Sequence, residues 1–347
     1  MLRDPVRPEI PPLTRRQKRA MILSGGLLAL FVAVLVFLVY PWARWTEDFF
    51  PGRAPDEVLQ PNAWTTTGES ITFTVLGDNG SGGRNAMDVA RQMARTYQET
   101  PYGLTVLLGD ISYYGSIADR FDDVFQRPMQ PLIDAGVEFE LAIGNHEIQE
   151  NPSPRALQEA AGKLERLGLP NTSYTVRHGP VDFFIIDSSL PLAGLANAAE
   201  QLAWLKEELA TSDAPWQVVA LHHQLFSSAK KREPDPRVRE VLEPLFIEHG
   251  VDIVFYGHDH FYERTKPQNG VTYVLSGGGS KISMVDFTDF TGRHGLCDSR
   301  RRPSDLSLSP SRSGVAAAQI PRRSEHEEPE HEDHAHYASE SQQALAH

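Results

Sequence analysis

Cysteine is almost missing from this chain: Cys297 is the single one in 347 residues. An intrachain disulfide is therefore excluded, and cysteine usage says nothing about an oxidising compartment. Positive charge is also short, with 33 Lys and Arg against 46 Asp and Glu and a formal net charge of −13. That balance argues against a nucleic-acid partner, because a polyanion is repelled by it. No internal repeat is visible. Charge vanishes altogether from residues 20–40, which are almost wholly apolar.

That uncharged stretch has about the 20 residues a helix needs to span hydrocarbon. A cleavable signal peptide has a shorter apolar region and a small-residue cleavage site. Here Pro41, Trp42 and Trp45 follow instead, and such aromatics favour the headgroup level. Arg3, Arg7, Arg15, Arg16, Lys18 and Arg19 precede the segment, whereas Glu47, Asp48, Asp56 and Glu57 lie beyond it. The bias predicts a cytoplasmic basic tail over 1–19 and a transmembrane signal anchor over 20–40. A linker over 41–68 and an extracytoplasmic domain over 69–290 follow, the lipid bilayer being a partner through residues 20–40.

Five short fragments place metal-binding side chains just after apolar, β-rich runs. The runs are Ile71–Leu76, Leu104–Leu108, Phe139–Ile143, Gln217–Leu221 and Asp252–Tyr256. The fragments are Gly77-Asp78-Asn79-Gly80, Gly109-Asp110-Ile111-Ser112-Tyr113, Gly144-Asn145-His146-Glu147, Leu221-His222-His223 and Gly257-His258-Asp259-His260. Near-continuous apolar runs suit strands buried on both faces. Helix-like stretches alternate with them at Asn85–Gln98, Ile117–Arg127, Arg155–Leu167, Glu200–Leu209 and Pro236–His249. Alternation of this kind implies parallel pairing, with ligands gathered beyond the carboxyl ends of the strands. Two Asp, one Asn, one Tyr and several His would then share one rim, enough for two metal ions side by side. A paired-metal site suits in-line displacement at phosphorus.

Taken singly, each fragment has a plainer reading. Gly-Asp-Asn-Gly is a common turn, and Tyr113 with Tyr114 suits an interface. His223 reads as a solvated neighbour of His222 lining the pocket, and His178 and His249 as structural. His258 and His260, two apart on an extended segment, face one side and make the strongest local metal pair. The plain readings would all have to hold at five places together.

The ordered set resembles the calcineurin-like metallophosphoesterases, and within them the purple acid phosphatases such as the tartrate-resistant enzymes. The superfamily's usual first motif is Asp-x-His, but Gly80 stands at the third position and cannot ligate. Tyr113, three residues after Asp110, replaces that ligand as in the purple acid phosphatase branch. The resemblance implies a four-layer α-β-β-α sandwich of two mixed sheets. It also implies a first ion on Asp78, Asp110, Tyr113 and His260, and a second on Asp110, Asn145, His222 and His258, with Asp110 bridging. Carboxylate and phenolate suit iron(III) at the first site, while imidazole and amide suit iron(II), zinc or manganese at the second. The two ions would clamp the reacting oxygens and acidify a bound water. His146 would protonate the leaving group, with Glu147 holding its ring.

The implied function is hydrolysis of phosphomonoesters in mild acid, on a small molecule or a protein. A phosphodiesterase, or a nucleotide or protein phosphatase, would use the same ions. A catalytically impaired surface metal-binding module is the reading of another class. After Val271–Leu275 the strand pattern stops where the family continues with strands. Residues 291–347, rich in Ser and Pro, then acidic with scattered His, are expected to be a disordered, atypical tail. The break suggests a segment of different origin, such as the product of a reading-frame shift.

Overall fold

The computed structural model of the chain describes Arg15 and residues 54–60, 70–114, 120–148, 171–189, 196–229, 233–281, 307–310 and 316–321. The chain divides into the units Met1–Pro51 and Gly52–His347, and every element below lies in the second. The expected membrane span, residues 20–40, lies outside the described residues. Among those described, no helix is long and apolar enough to cross a membrane.

Strands β1 (Ser70–Leu76), β2 (Leu104–Leu107) and β3 (Glu138–Leu141) pair in parallel. Strands β5 (Val181–Ile185), β6 (Trp216–Ala220), β7 (Ile253–Tyr256) and β9 (Thr272–Ser276) form a second parallel set, edged by antiparallel β4 (Tyr174–His178) and β8 (Tyr262–Arg264). Between the sheets, Phe73 meets Phe183 and Phe255 edge-on, with ring centroids 5.1 and 5.9 Å apart. Strand alternation sorts the second sheet. Val218 and Ala220 join the core shared with the first sheet, while Val219 and Leu221 join a core with the helices α3 (Ala196–Thr211) and α4 (Pro236–Glu248).

The helices form for local reasons. Helix α1 (Arg84–Glu99) buries Ala86, Met87, Val89, Ala90, Met93, Ala94 and Tyr97, one stripe at helical spacing. Helix α4 starts at Asp235, whose carboxylate accepts from the Arg237 amide, with Pro236 in the first turn. Of the helix expected over Ile117–Arg127, residues 117–119 lie outside the described ones; from Arg120 the chain is helical, with a π turn at Asp122–Gln126 running into α2 (Arg127–Asp134). Pro128 and Pro131 have no N–H to give the carbonyls four residues back, which favours this wider ladder.

Two expectations are corrected. The stretch 291–347 is not wholly unstructured: β10 (Ser307–Pro310) pairs with β11 (Ala316–Pro321), and β11 runs antiparallel to β1 from Ser70↔Pro321 to Val75↔Ala316. The first sheet therefore reads β10-β11-β1-β2-β3. Composition misses this because a ladder is held by backbone groups, and the edge of β1 away from β2 needs partners. The linker is also partly docked. Leu59 is buried in the main core, and the Tyr97 hydroxyl donates to the Gln60 carbonyl.

Candidate metal centre

Every predicted fragment begins where a parallel strand ends, so five loops crowd one rim. Backbone bonds lace them together. The Asp78 amide donates to the Gly109 carbonyl, the Gly80 amide to the Asp110 carbonyl, the Tyr113 amide to the Gly80 carbonyl, and the Gly257 amide to the His222 carbonyl. Four non-glycine residues among those described have left-handed backbones, and three of them are Asp78 (φ 63°), Asp110 (φ 55°) and His258 (φ 71°). That conformation is costly for side chains other than glycine and gathers at functional sites. It turns each expected ligand back over the strand ends.

Gly80 and Gly144 show how close the loops lie. A Cβ at Gly80 would collide with the backbone of Ile111 and Ser112, so a histidine there would require these loops to move apart. A Cβ at Gly144 would collide with the Asp110 carboxylate.

The expected residues converge in two groups. In the first, the Tyr113 hydroxyl donates to Asp78 Oδ1 at 3.1 Å and lies 3.2 Å from His260 Nε2, which is 3.4 Å from Asp78 Oδ1. In the second, His222 Nε2 lies 3.0 Å from Asn145 Oδ1, 3.1 Å from His258 Nδ1 and 3.4 Å from Asp110 Oδ1. His222 Nδ1 donates to the Leu108 carbonyl at 2.7 Å, which fixes the tautomer and aims Nε2 at the cluster. Amide oxygen, imidazole nitrogens and carboxylate oxygen thus converge on one another, and ligands of this kind fit a divalent cation once the His222 proton is displaced. Asp110, His222 and His258 keep their donor atoms within 4.8 Å of one another.

Electrostatics support that fit. Burial works against an imidazolium, yet Asp110, Asp78 and the Leu108 carbonyl push the His222 pKa up to about 9. Burial also works against a charged Asp110, but His222 and His146 hold its carboxyl well below the usual range. Burial, then the Asp78 and Asp110 charges, push the Tyr113 phenol well above its ordinary value. A phenolate there needs a strong cation.

His146 stands on the rim, a third exposed. Its amide donates to Asp110 Oδ1 at 3.0 Å, and its ring meets the Tyr113 ring edge-on, centroids 4.8 Å apart. Glu147 does not hold that ring, contrary to expectation. Its Oε2 accepts from the amides of Asp110 (2.8 Å) and Gly144 (2.7 Å), and Oε1 from Ser112 (3.1 Å). Three backbone N–H groups at the strand ends are orphans that only a carboxylate so placed satisfies. The buried carboxyl has its pKa pushed up to about 7 by desolvation and by Asp110.

Sequence reasoning gave too little weight to the second-ion side. The Ser188 hydroxyl lies 2.9 Å from His223 Nδ1 and accepts from the His223 amide, and the His223 ring lies 4.9 Å from that of His258. The signal was Asp187-Ser188-Ser189 one residue after the strand Val181–Ile185, which was not linked to any recognised fragment.

A fold of two sheets with a dimetal cradle at the strand ends defines a metal-dependent phosphoesterase. The calcineurin-like phosphoesterase family matches residues 71–262, and the chain belongs to it. Its relatives are acid phosphatases, hence hydrolases. It is 28% identical over 261 residues to tartrate-resistant acid phosphatase type 5 of Rattus norvegicus, covering 66% of this chain and 77% of that one. Purple acid phosphatase 23 of Arabidopsis thaliana is 31% identical over 196 residues, 51% of this chain and 41% of its own. Among solved structures, purple acid phosphatase PPD1 of Lupinus luteus shares the fold with a TM-score of 0.54 and 20% identity, over 78% of this chain and 55% of that one. The chain is thus a purple acid phosphatase-like dimetal phosphoesterase.

Proposed function

We propose that this chain is an extracytoplasmic phosphomonoesterase of the acid phosphatase type, anchored in the membrane through a helix over residues 20–40. The observation that carries the chemistry is the convergence of Asp78, Tyr113 and His260 beside Asp110, Asn145, His222 and His258. Asp78, Asp110, Tyr113 and His260 would hold iron(III); Asp110, Asn145, His222 and His258 would hold iron(II), zinc or manganese. When bound, such a pair neutralises phosphoryl oxygens and makes a bound water a nucleophile near neutral pH.

The chain's own groups do the rest. The Leu108 carbonyl fixes His222, and the Glu147 carboxylate ties the loops of Asp110, Ser112 and Gly144 into one frame. His146, a third exposed beside Tyr113, would give its ring proton to the departing alkoxide, and with a bound water as nucleophile no covalent enzyme intermediate is needed. The anchor rests on sequence: an uncharged apolar span with six basic residues before it.

Two assays test the reading. Chromogenic monoester and diester substrates, offered to the metal-loaded full chain, should give faster turnover of the monoester, and Asn145→Ala should abolish it. Diester preference, or turnover that survives in Asn145→Ala, would overturn the monoesterase assignment. Protease added outside intact cells should remove the domain and spare an N-terminal tag; a protected domain would refute the topology.

A further inference from the structure

The loop after β9 brings a cation to the metal centre that the proposed chemistry leaves unused. Its path is fixed: the Gly279 amide donates to the Gly77 carbonyl at 3.0 Å, and the Ser280 hydroxyl to the Asp78 carbonyl at 2.7 Å. The next residue is Lys281, and its ammonium sits 3.8 Å from the centroid of the Tyr113 ring and 5.3 Å from that of Tyr114. The charge lies over the ring face, not at the hydroxyl that meets Asp78 and His260. It is therefore set beside the first ion's position.

His146 touches the same ring. A leaving group protonated by His146 would depart past the ring that carries the Lys281 ammonium. Arg120, the neighbouring guanidinium, donates to the carbonyls of Tyr114 and Ser81. Lysine is a compact charge with three donors on a flexible stem, suited to an anionic oxygen as a point charge.

Resting on the phosphoesterase reading, we propose that Lys281 is a specificity-determining residue that binds a second anionic group, carboxylate or phosphate, close to the ester oxygen on the leaving side. The substrate class is then a phosphomonoester whose leaving group carries its own negative charge.

The test uses the full chain in detergent, loaded with iron and manganese, and compares phenyl phosphate with 2-carboxyphenyl phosphate in the wild type, Lys281→Met and Lys281→Arg. Met keeps the stem's length and packing without the charge. We expect kcat/KM of Lys281→Met to fall roughly tenfold or more further on 2-carboxyphenyl phosphate than on phenyl phosphate, the loss of a charged hydrogen bond. Lys281→Arg should restore most of the difference. Calorimetry then compares pyrophosphate with orthophosphate binding, and the wild type's preference for pyrophosphate should shrink in Lys281→Met.

Equal losses on both esters would make Lys281 a packing residue for Tyr113, and no loss would make it a bystander; either overturns the proposal. A selective loss for the carboxylate with unchanged pyrophosphate binding would overturn the inclusion of phosphate. If the wild type hydrolyses neither ester, the phosphoesterase reading fails, and the calorimetric comparison still decides whether Lys281 binds a second anion.

Discussion

Replacing Glu147 by alanine probes how the centre is held together. The change removes both acceptor oxygens and leaves the amides of Asp110, Gly144 and Ser112 without their partner. A buried donor so orphaned costs about 1–3 kcal/mol, so three sum to roughly 3–9 kcal/mol. Two effects pull the figure toward the lower end. Water entering the gap satisfies some donors, and the buried carboxyl is itself penalised, its pKa pushed up to about 7. A loss of about 3 kcal/mol lowers Tm by roughly 6–12 °C in a domain of this size. Glu147→Gln keeps the shape, but one end of its amide must face a donor, so its loss is about 1–3 kcal/mol. Thermal melting of the metal-free protein reads both. The same loops carry Asp110, Tyr113 and Asn145, so manganese affinity should fall about 10–100-fold. A Glu147→Ala protein that melts within a degree of wild type and binds manganese as tightly would refute the reasoning.

Three further outcomes follow from the centre's geometry. In His146→Ala, kcat should fall about 10²–10⁴-fold on an alkyl phosphate and far less on p-nitrophenyl phosphate, whose leaving group needs no proton; equal losses would contradict leaving-group protonation. The His222 pKa, raised to about 9 in the metal-free protein, gives a stabilisation fully present below about 6.5 and lost as pH rises through 9. A divalent ion must displace that proton, so calorimetry near pH 7 in buffers of different ionisation enthalpy should show about one proton released per chain. Tyr113→Phe should abolish the visible absorption of the iron-loaded protein, measured by spectrophotometry, because only a phenolate supplies the charge-transfer band; colour that persists would reassign the ligand.

The convergence was legible because the expected ligands sit at fixed offsets from strand ends, and strand ends are where apolar runs stop. Asp78, Asp110 and His258 could be placed from that alone, though not their left-handed backbones. What stayed hidden depends on partners distant in the chain. Glu147 was read by its neighbour in sequence, His146, whereas its partners are backbone amides, two of them at residues 110 and 112. The β4–β5 hairpin carries no recognised fragment, and β11 contributes backbone pairing to β1, which composition does not record. Leu59 looked like linker because one buried leucine sets no period. The anchor at 20–40 is the opposite case, a compositional signal that lies outside the described residues.

Crystallography with anomalous diffraction at the metal edges puts the central claim to its most direct test. Two peaks should appear about 3.5–4 Å apart, one among Asp78, Asp110, Tyr113 and His260, the other among Asp110, Asn145, His222 and His258. A metal-supplemented protein with a single peak, or with none between these side chains, would contradict it.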